Sequence, residues 1–156
     1  MNSRKTLSQL ALFASIAMLT FVLSVPRTAL AQEKSLYERL DGYDAIAAVV
    51  DDFAPKLFAD SVVGKRFFGM SDDSREGFRQ KNKNLICRVT GGPCKVISRS
   101  AAVTHGGLGI KASEFDIVVN HIVISLKKFE VPEKEQQELL AIVGTLRPDI
   151  VEVEDQ

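Results

Sequence analysis

The chain has two histidines, two cysteines and no tryptophan in 156 residues. Its cysteines, Cys87 and Cys94, form neither CxxC nor CxxCH, so the spacing supports neither a redox dithiol nor a covalently attached c-type haem. No GxGxxG fingerprint for a flavin or nicotinamide cofactor occurs. Basic runs and clusters of stacking aromatics are missing too, and 20 basic residues balance 20 acidic ones. Nucleic acid is therefore not an expected partner. No alternating strand with a hairpin turn is convincing, and there is no repeat or low-complexity tract.

What is present begins with an export signature. Arg4 and Lys5 precede a mostly apolar run from Leu7 to Val25, and Ala29-Leu30-Ala31 supplies an A-x-A site before Gln32. Residues 1–31 read as a signal peptide, to be cleaved, which places the protein outside the cytoplasm, in the periplasm, with no stable membrane association. The alternative is an uncleaved anchor, because the apolar run approaches the length of a bilayer span. Cleavage leaves 32–156, enough for one domain with a single core. It removes Arg4, Lys5 and Arg27 but no acid, leaving 17 basic and 20 acidic residues and a net charge of −3. An oxidising compartment permits a Cys87–Cys94 disulfide, although two cysteines separated by six residues across a helix end need not meet its geometry. A buried or idle pair of thiols is the other reading.

The remainder reads as all-α, with five or six helices and short connections. Ser35 and Glu38 suit a capping box for a short first helix that ends near Leu40-Asp41-Gly42. Asp44 can cap the next, whose apolar positions Ile46, Val49, Val50, Phe53, Leu57 and Phe58 keep close to a 3.6-residue period. Pro55 lies inside that pattern and should remove a hydrogen bond or kink the helix. Val62 to Met70 is a glycine-containing corner holding Phe67-Phe68. Asp73 and Glu76 offer another capping box, for a helix that stops at Gly91-Gly92-Pro93. Ser113 with Asp116 opens a helix whose stripe is Phe115, Val118, Val119, Ile122, Leu126 and Phe129. Pro132 suits the first turn of the last helix, with Leu139, Leu140, Ile142, Val143 and Leu146 on its apolar face.

Between these helix pairs stands Ala101-Ala102-Val103-Thr104-His105-Gly106-Gly107-Leu108-Gly109-Ile110. An imidazole at the end of a short apolar run, followed by a glycine corner, can be held against a flat apolar ligand, and haem iron is often carried by one proximal histidine. The local alternative is a histidine that caps the helix by meeting its last carbonyls.

Taken together, Ser35 to Gly42, Asp44-Ala45-Ile46, Asp52-Phe53, Phe67-Phe68, Gly91-Gly92-Pro93 and Thr104 to Ile110 followed by Phe115 resemble the group I truncated haemoglobins. The resemblance runs to about Leu146. It implies a shortened globin fold, two helices over two, around haem b. His105 matches the proximal iron ligand and Phe68 the phenylalanine on the porphyrin face. Phe53, Phe78, Leu85, Ile86, Ala101, Ile110, Phe115, Val119 and Val143 match pocket-lining positions, each of which ordinary core packing also explains.

The departures bear on mechanism. Relatives that bind oxygen tightly usually carry a distal tyrosine, often with a glutamine; here Ala54 and Asn82 stand at those positions. Losing a hydrogen bond to a charge-polarised ligand forfeits about 1.5–3 kcal/mol, roughly ten- to a hundredfold in affinity. Lys81 occupies the distal position of a family lysine or histidine, with three readings: a propionate partner, a sixth iron ligand through its neutral amine, or a solvated side chain. Asp41, Pro55 and Val96 also depart from the family pattern, at the helix start, distal wall and haem edge. His121 lies beside the apolar stripe and reads as structural.

The resemblance implies reversible binding of O2, NO or CO. Its enzymatic rivals are NO dioxygenation, which needs an electron donor such as a reductase, and a peroxidase-like reaction, which needs a distal acid/base that no histidine supplies. A haem-free helical module that binds a protein partner, and a haem sensor, are further alternatives.

Overall fold

The computed structural model describes residues 33–155; the signal peptide read over 1–31 lies outside the described residues. Seven α-helices and one 3-10 turn follow in order: α1 Leu36–Arg39, α2 Gly42–Ala59, the 3-10 turn Val63–Phe67, α3 Asp72–Val89, α4 Ala101–His105, α5 Ala112–Lys128, α6 Glu133–Gly144 and α7 Arg147–Ile150. Among the described residues the only β feature is an isolated bridge between Lys111 and Val153. The expected all-α, two-over-two arrangement is present: α2 packs against both α3 and α5, and α5 against α6.

Helix starts show where local signals were read correctly and where they were displaced. The Ser35–Glu38 capping box forms, with Glu38 Oε2 accepting the Ser35 N–H at 2.7 Å. Asp44 does not cap α2. The helix begins two residues earlier, behind Asp41 in the left-handed region (φ +60°) and Gly42 at φ +79°. An aspartate tolerates that backbone better than most side chains, though less well than glycine. The third start also moves: Ser71, not Asp73, caps α3 by accepting the Ser74 N–H at 3.2 Å. Ser113 caps nothing, since its N–H and hydroxyl both meet Asp155, while Glu114 reaches back to the Lys111 N–H at 2.9 Å. A side chain committed to the tail is unavailable as a cap. Pro55 stands on the exposed side of α2, which runs through it without interruption.

Three apolar clusters fill the interior. Leu36, Leu40, Val49, Leu126 and Leu139 tie α1, α2, α5 and α6 together. Phe53, Ala54, Leu57 and Val63 join α2 to the corner, with Phe58, Phe67 and Phe78 packed edge-to-face at 5.2–5.4 Å around them. Ile46, Val50 and Cys87 form the third. Here Cys87 and Cys94 are bonded, with Cα atoms 5.8 Å apart. The bond fastens the end of α3 to the chain beyond Gly91-Gly92-Pro93. Gly92 is forced by this closure: a Cβ there would lie 2.5 Å from Tyr37 and 2.6 Å from Cys87 Sγ.

Polar pairs hold the helices in register. Arg39 of α1 pairs with Glu135 at 3.0 Å and with Glu138, both on α6. Asp52 accepts from Ser125 Oγ at 2.8 Å and pairs with Lys56 and Lys128. His121 Nε2 lies 2.9 Å from Asp60, whose other oxygen accepts the Val62 and Val63 amides. That contact braces the corner and agrees with the structural reading of His121.

Candidate haem site

Helix α4, like α7, has no buried residue, although its Ala101, Ala102 and Val103 are apolar. Large apolar side chains of the segment 97–108 stay in water, Ile97 at 91% exposure, Val103 at 61% and Leu108 at 52%, as does Phe68 at 95%. Hydrophobic side chains left exposed while the clusters above are packed are candidates to meet an apolar ligand.

At the end of α4 the imidazole is already oriented. His105 Nδ1 lies 2.8 Å from the Ala101 carbonyl oxygen. A carbonyl only accepts, so Nδ1 carries the proton and Nε2 keeps its lone pair. This is how proximal and other metal-binding histidines are set in one tautomer. Ser100 starts the helix by accepting the Val103 N–H at 3.3 Å, which fixes the short turn from which His105 projects. One nitrogen donor of defined tautomer beside exposed apolar side chains is a donor set that fits haem iron, whose porphyrin needs greasy walls and a single axial base. Among the described residues no group of three or more His, Cys, Asp or Glu could hold a bare metal ion.

A match to a known family decides what these observations and the helical order belong to. The chain is a bacterial-like globin of the group I truncated type. The bacterial-like globin family matches residues 35–152. Group 1 truncated hemoglobin GlbN of Mycolicibacterium paratuberculosis is 28% identical over 120 residues, covering 77% of this chain and 86% of that one. The GlbN of Synechocystis is 30% identical over 114 residues, covering 70% and 90%. Among solved structures, the 2/2 hemoglobin of Synechococcus sp. PCC 7002, in the cyanomet state with covalently attached heme, superposes with a TM-score of 0.69 at 27% identity, covering 76% and 98%. The Fe(III) truncated hemoglobin of Tetrahymena pyriformis gives 0.70 at 22% identity, over 76% and 98%.

Within this globin, the candidate residues fall into three groups. Phe53 and Ala54 are core residues, and Ala54 has no accessible surface. Phe78 joins them through the aromatic triad, while Ile86 bridges two clusters. Ile110 and Phe115 are buried at the start of α5, where the Arg147 guanidinium lies 5.4 Å from the Phe115 ring centre. Leu85, Ala101, Val119 and Val143 are half-buried. Phe68 is not brought into the aromatic triad. The 3-10 turn ends on Phe67, which takes that place, and the chain turns extended at Phe68 (φ −59°, ψ 134°).

The polar residues that the resemblance sets on the distal side offer few free donors. Asn82 gives its amide nitrogen to the Phe78 carbonyl at 2.8 Å, one turn back on its own helix. Lys81 is exposed and pairs with no carboxylate among the described residues. Neighbouring Lys83, by contrast, meets Asp51 at 2.8 Å.

A polar network around the loop after His105 has little mark in the sequence. Arg66 pairs with Glu114 through two bonds of 2.7 and 2.6 Å, and donates to the Leu108 and Gly109 carbonyls at 2.8 and 3.2 Å. Glu152 accepts the Gly107 N–H at 2.6 Å, and the Gly109 N–H as well. Only the Lys111–Glu114 spacing hints at any of this locally; Arg66 acts across more than forty residues. The Arg66 guanidinium holds the Glu114 carboxyl below the usual range, and the Gly107 and then Gly109 amides do so for Glu152.

A carboxyl with a depressed folded pKa contributes stability above its unfolded value, near 4.5, and loses it as pH falls through the folded value. The melting temperature should therefore be level down to about pH 5 and fall below about 4.5, with a shallower acid limb in Glu152→Gln. An identical acid limb in that variant would remove Glu152 from the account.

Proposed function

We propose that this globin binds a diatomic gas reversibly at the iron of haem b held by His105. One observation carries the reading: the His105 Nδ1 bond to the Ala101 carbonyl, which leaves Nε2 free to serve as an axial base, on a chain whose Phe68, Val103 and Leu108 side chains stay exposed. Haem b bound there supplies an iron with a sixth position for O2, NO or CO. The chain's own residues supply axial ligation, an apolar distal wall from Phe53, Ala54, Phe78 and Leu85, and Lys81 at the mouth as the partner of a propionate. Export by a cleaved leader over residues 1–31, into the periplasm, is part of the same proposal.

Absorption spectra of the chain after haem addition, in ferric, ferrous and CO-bound states, test the reading. A colourless protein that leaves added haem in solution would overturn it in favour of a helical module for a protein partner. A ferric spectrum that stays high-spin from neutral to alkaline pH is expected, since Lys81 is placed on a propionate rather than on the iron.

Binding is preferred over NO dioxygenation because the distal side lacks the donors that would hold O2. Ala54 has no donor, and Asn82 has spent an amide proton on its own helix. Fast O2 release follows. Ala54→Tyr should slow O2 dissociation roughly tenfold or more. Because Ala54 is enclosed by packed neighbours, the larger ring should also lower stability by about 1–3 kcal/mol. Stopped-flow displacement of O2 by CO measures the first effect and thermal melting the second. An unchanged dissociation rate in a folded, haem-loaded variant would remove the distal argument.

A further inference from the structure

We infer that Arg66 is a positioning residue for His105: through Glu114, Glu152 and the Gly106–Gly109 loop, it fixes the direction of the imidazole and makes the proximal side the place where ligand affinity is set. This rests on the haem reading above.

The need for such a device follows from α4. It is five residues long, buries no side chain and packs chiefly against α7. Packing therefore does little to hold His105 in place. The segment that follows is no stiffer by sequence. Three of its four residues are glycine, Gly107 and Gly109 take φ of +79° and +59°, and a Cβ at either would meet nothing within 4 Å. No side-chain packing restrains these positions, and glycine has more backbone freedom to lose than any other residue.

What holds the loop is polar and comes from three distant parts of the chain. Arg66, beside Phe67 at the corner, donates to the carbonyls of Leu108 and Gly109. Glu114, in the first turn of α5, holds the guanidinium through both oxygens. Glu152 takes the amides of Gly107 and Gly109. The tail that carries Glu152 is itself fastened, with the Glu152 and Val153 amides donating to the Ile110 carbonyl at 2.9 and 3.1 Å and the Ala112 amide to Val153. Donors and acceptors of the loop are thus met from opposite sides by fixed, charge-assisted bonds, which are stronger than neutral ones. An imidazole two residues from such a clamp inherits its rigidity. At the distal positions, Ala54 has no donor and Asn82 gives an amide proton to the Phe78 carbonyl.

The test uses the haem-loaded chain and two variants, Arg66→Met and Glu152→Ala, with Arg39→Ala as a control that removes the two ion pairs between α1 and α6. The iron–histidine stretching band of the ferrous protein, read by resonance Raman, reports imidazole direction and strain, which a general loss of stability does not move. Arg66→Met and Glu152→Ala should shift or broaden that band and change CO dissociation about tenfold, the lower end of what second-shell partners of a metal ligand contribute. Arg39→Ala should leave both unchanged while lowering the melting temperature. In the haem-free chain, amide exchange at Gly107 and Gly109 should speed up in Glu152→Ala. If Arg66→Met fails to fold, Glu152→Ala decides alone, since its side chain is exposed near the chain end. Haem uptake with an unshifted band in these variants would overturn this inference only. Refusal of haem by the unaltered chain would overturn the haem reading together with it.

Discussion

His105→Gly should lose haem affinity by more than about a hundredfold, since even second-shell partners of a metal ligand are worth ten- to a hundredfold. Added imidazole should restore a five-coordinate ferrous spectrum, because the apolar walls and the loop after residue 105 remain in place. The basis is the single axial base of defined tautomer, set by the 2.8 Å contact with the Ala101 carbonyl. His121 offers no substitute, as its Nε2 is held by Asp60 in the brace at the corner. Titration of haem into both proteins, followed in the Soret region, measures the difference. Uptake of equal strength in His105→Gly without imidazole would show that the iron is held elsewhere or that porphyrin binds without it.

Removing the disulfide is expected to be the largest change in stability from two small substitutions. The bridge spans a sequence separation of seven, and closing a loop of that size stabilises by about 2–3 kcal/mol through the unfolded chain. For a domain of this length, the double variant Cys87→Ala, Cys94→Ala should melt roughly 10 °C lower. The effect should reach beyond chain entropy. Cys87 is fully buried among Ile46, Val50, Tyr37 and Tyr43, and Gly92 lies close against its sulfur. The bond also ties the end of α3 to the loop that leads into α4, so haem should dissociate faster from the double variant. Equal melting temperatures for the double variant and the unaltered protein would show that packing alone holds this corner.

His105 and Ala54 are singled out by local patterns, the first by an apolar run that ends in glycines and the second by a single residue type. The capping box at Ser35 formed because its two groups are three residues apart and need nothing else. Asp73 and Ser113 failed for the complementary reason. Several nearby side chains were able to cap, and the choice fell to Ser71 in one case and to the contact with Asp155 in the other. The resemblance sets Phe68 on the porphyrin face, and the structure leaves it 95% exposed while the aromatic cluster takes Phe67. Neighbouring residues of the same type cannot be told apart until the backbone direction is known.

The amino-acid order by itself determined that this chain is helical and where its apolar stripes run. Periodicity and capping act within a few residues, so they survive without knowledge of the fold. Only the tertiary structure decided that the two sulfurs meet, that Asn82 turns back on its own helix, and that Arg66, Glu114 and Glu152 converge on the loop after His105. Those bonds join positions up to about 48 residues apart, and a charged side chain carries no local mark of the partner it will find once the helices have packed.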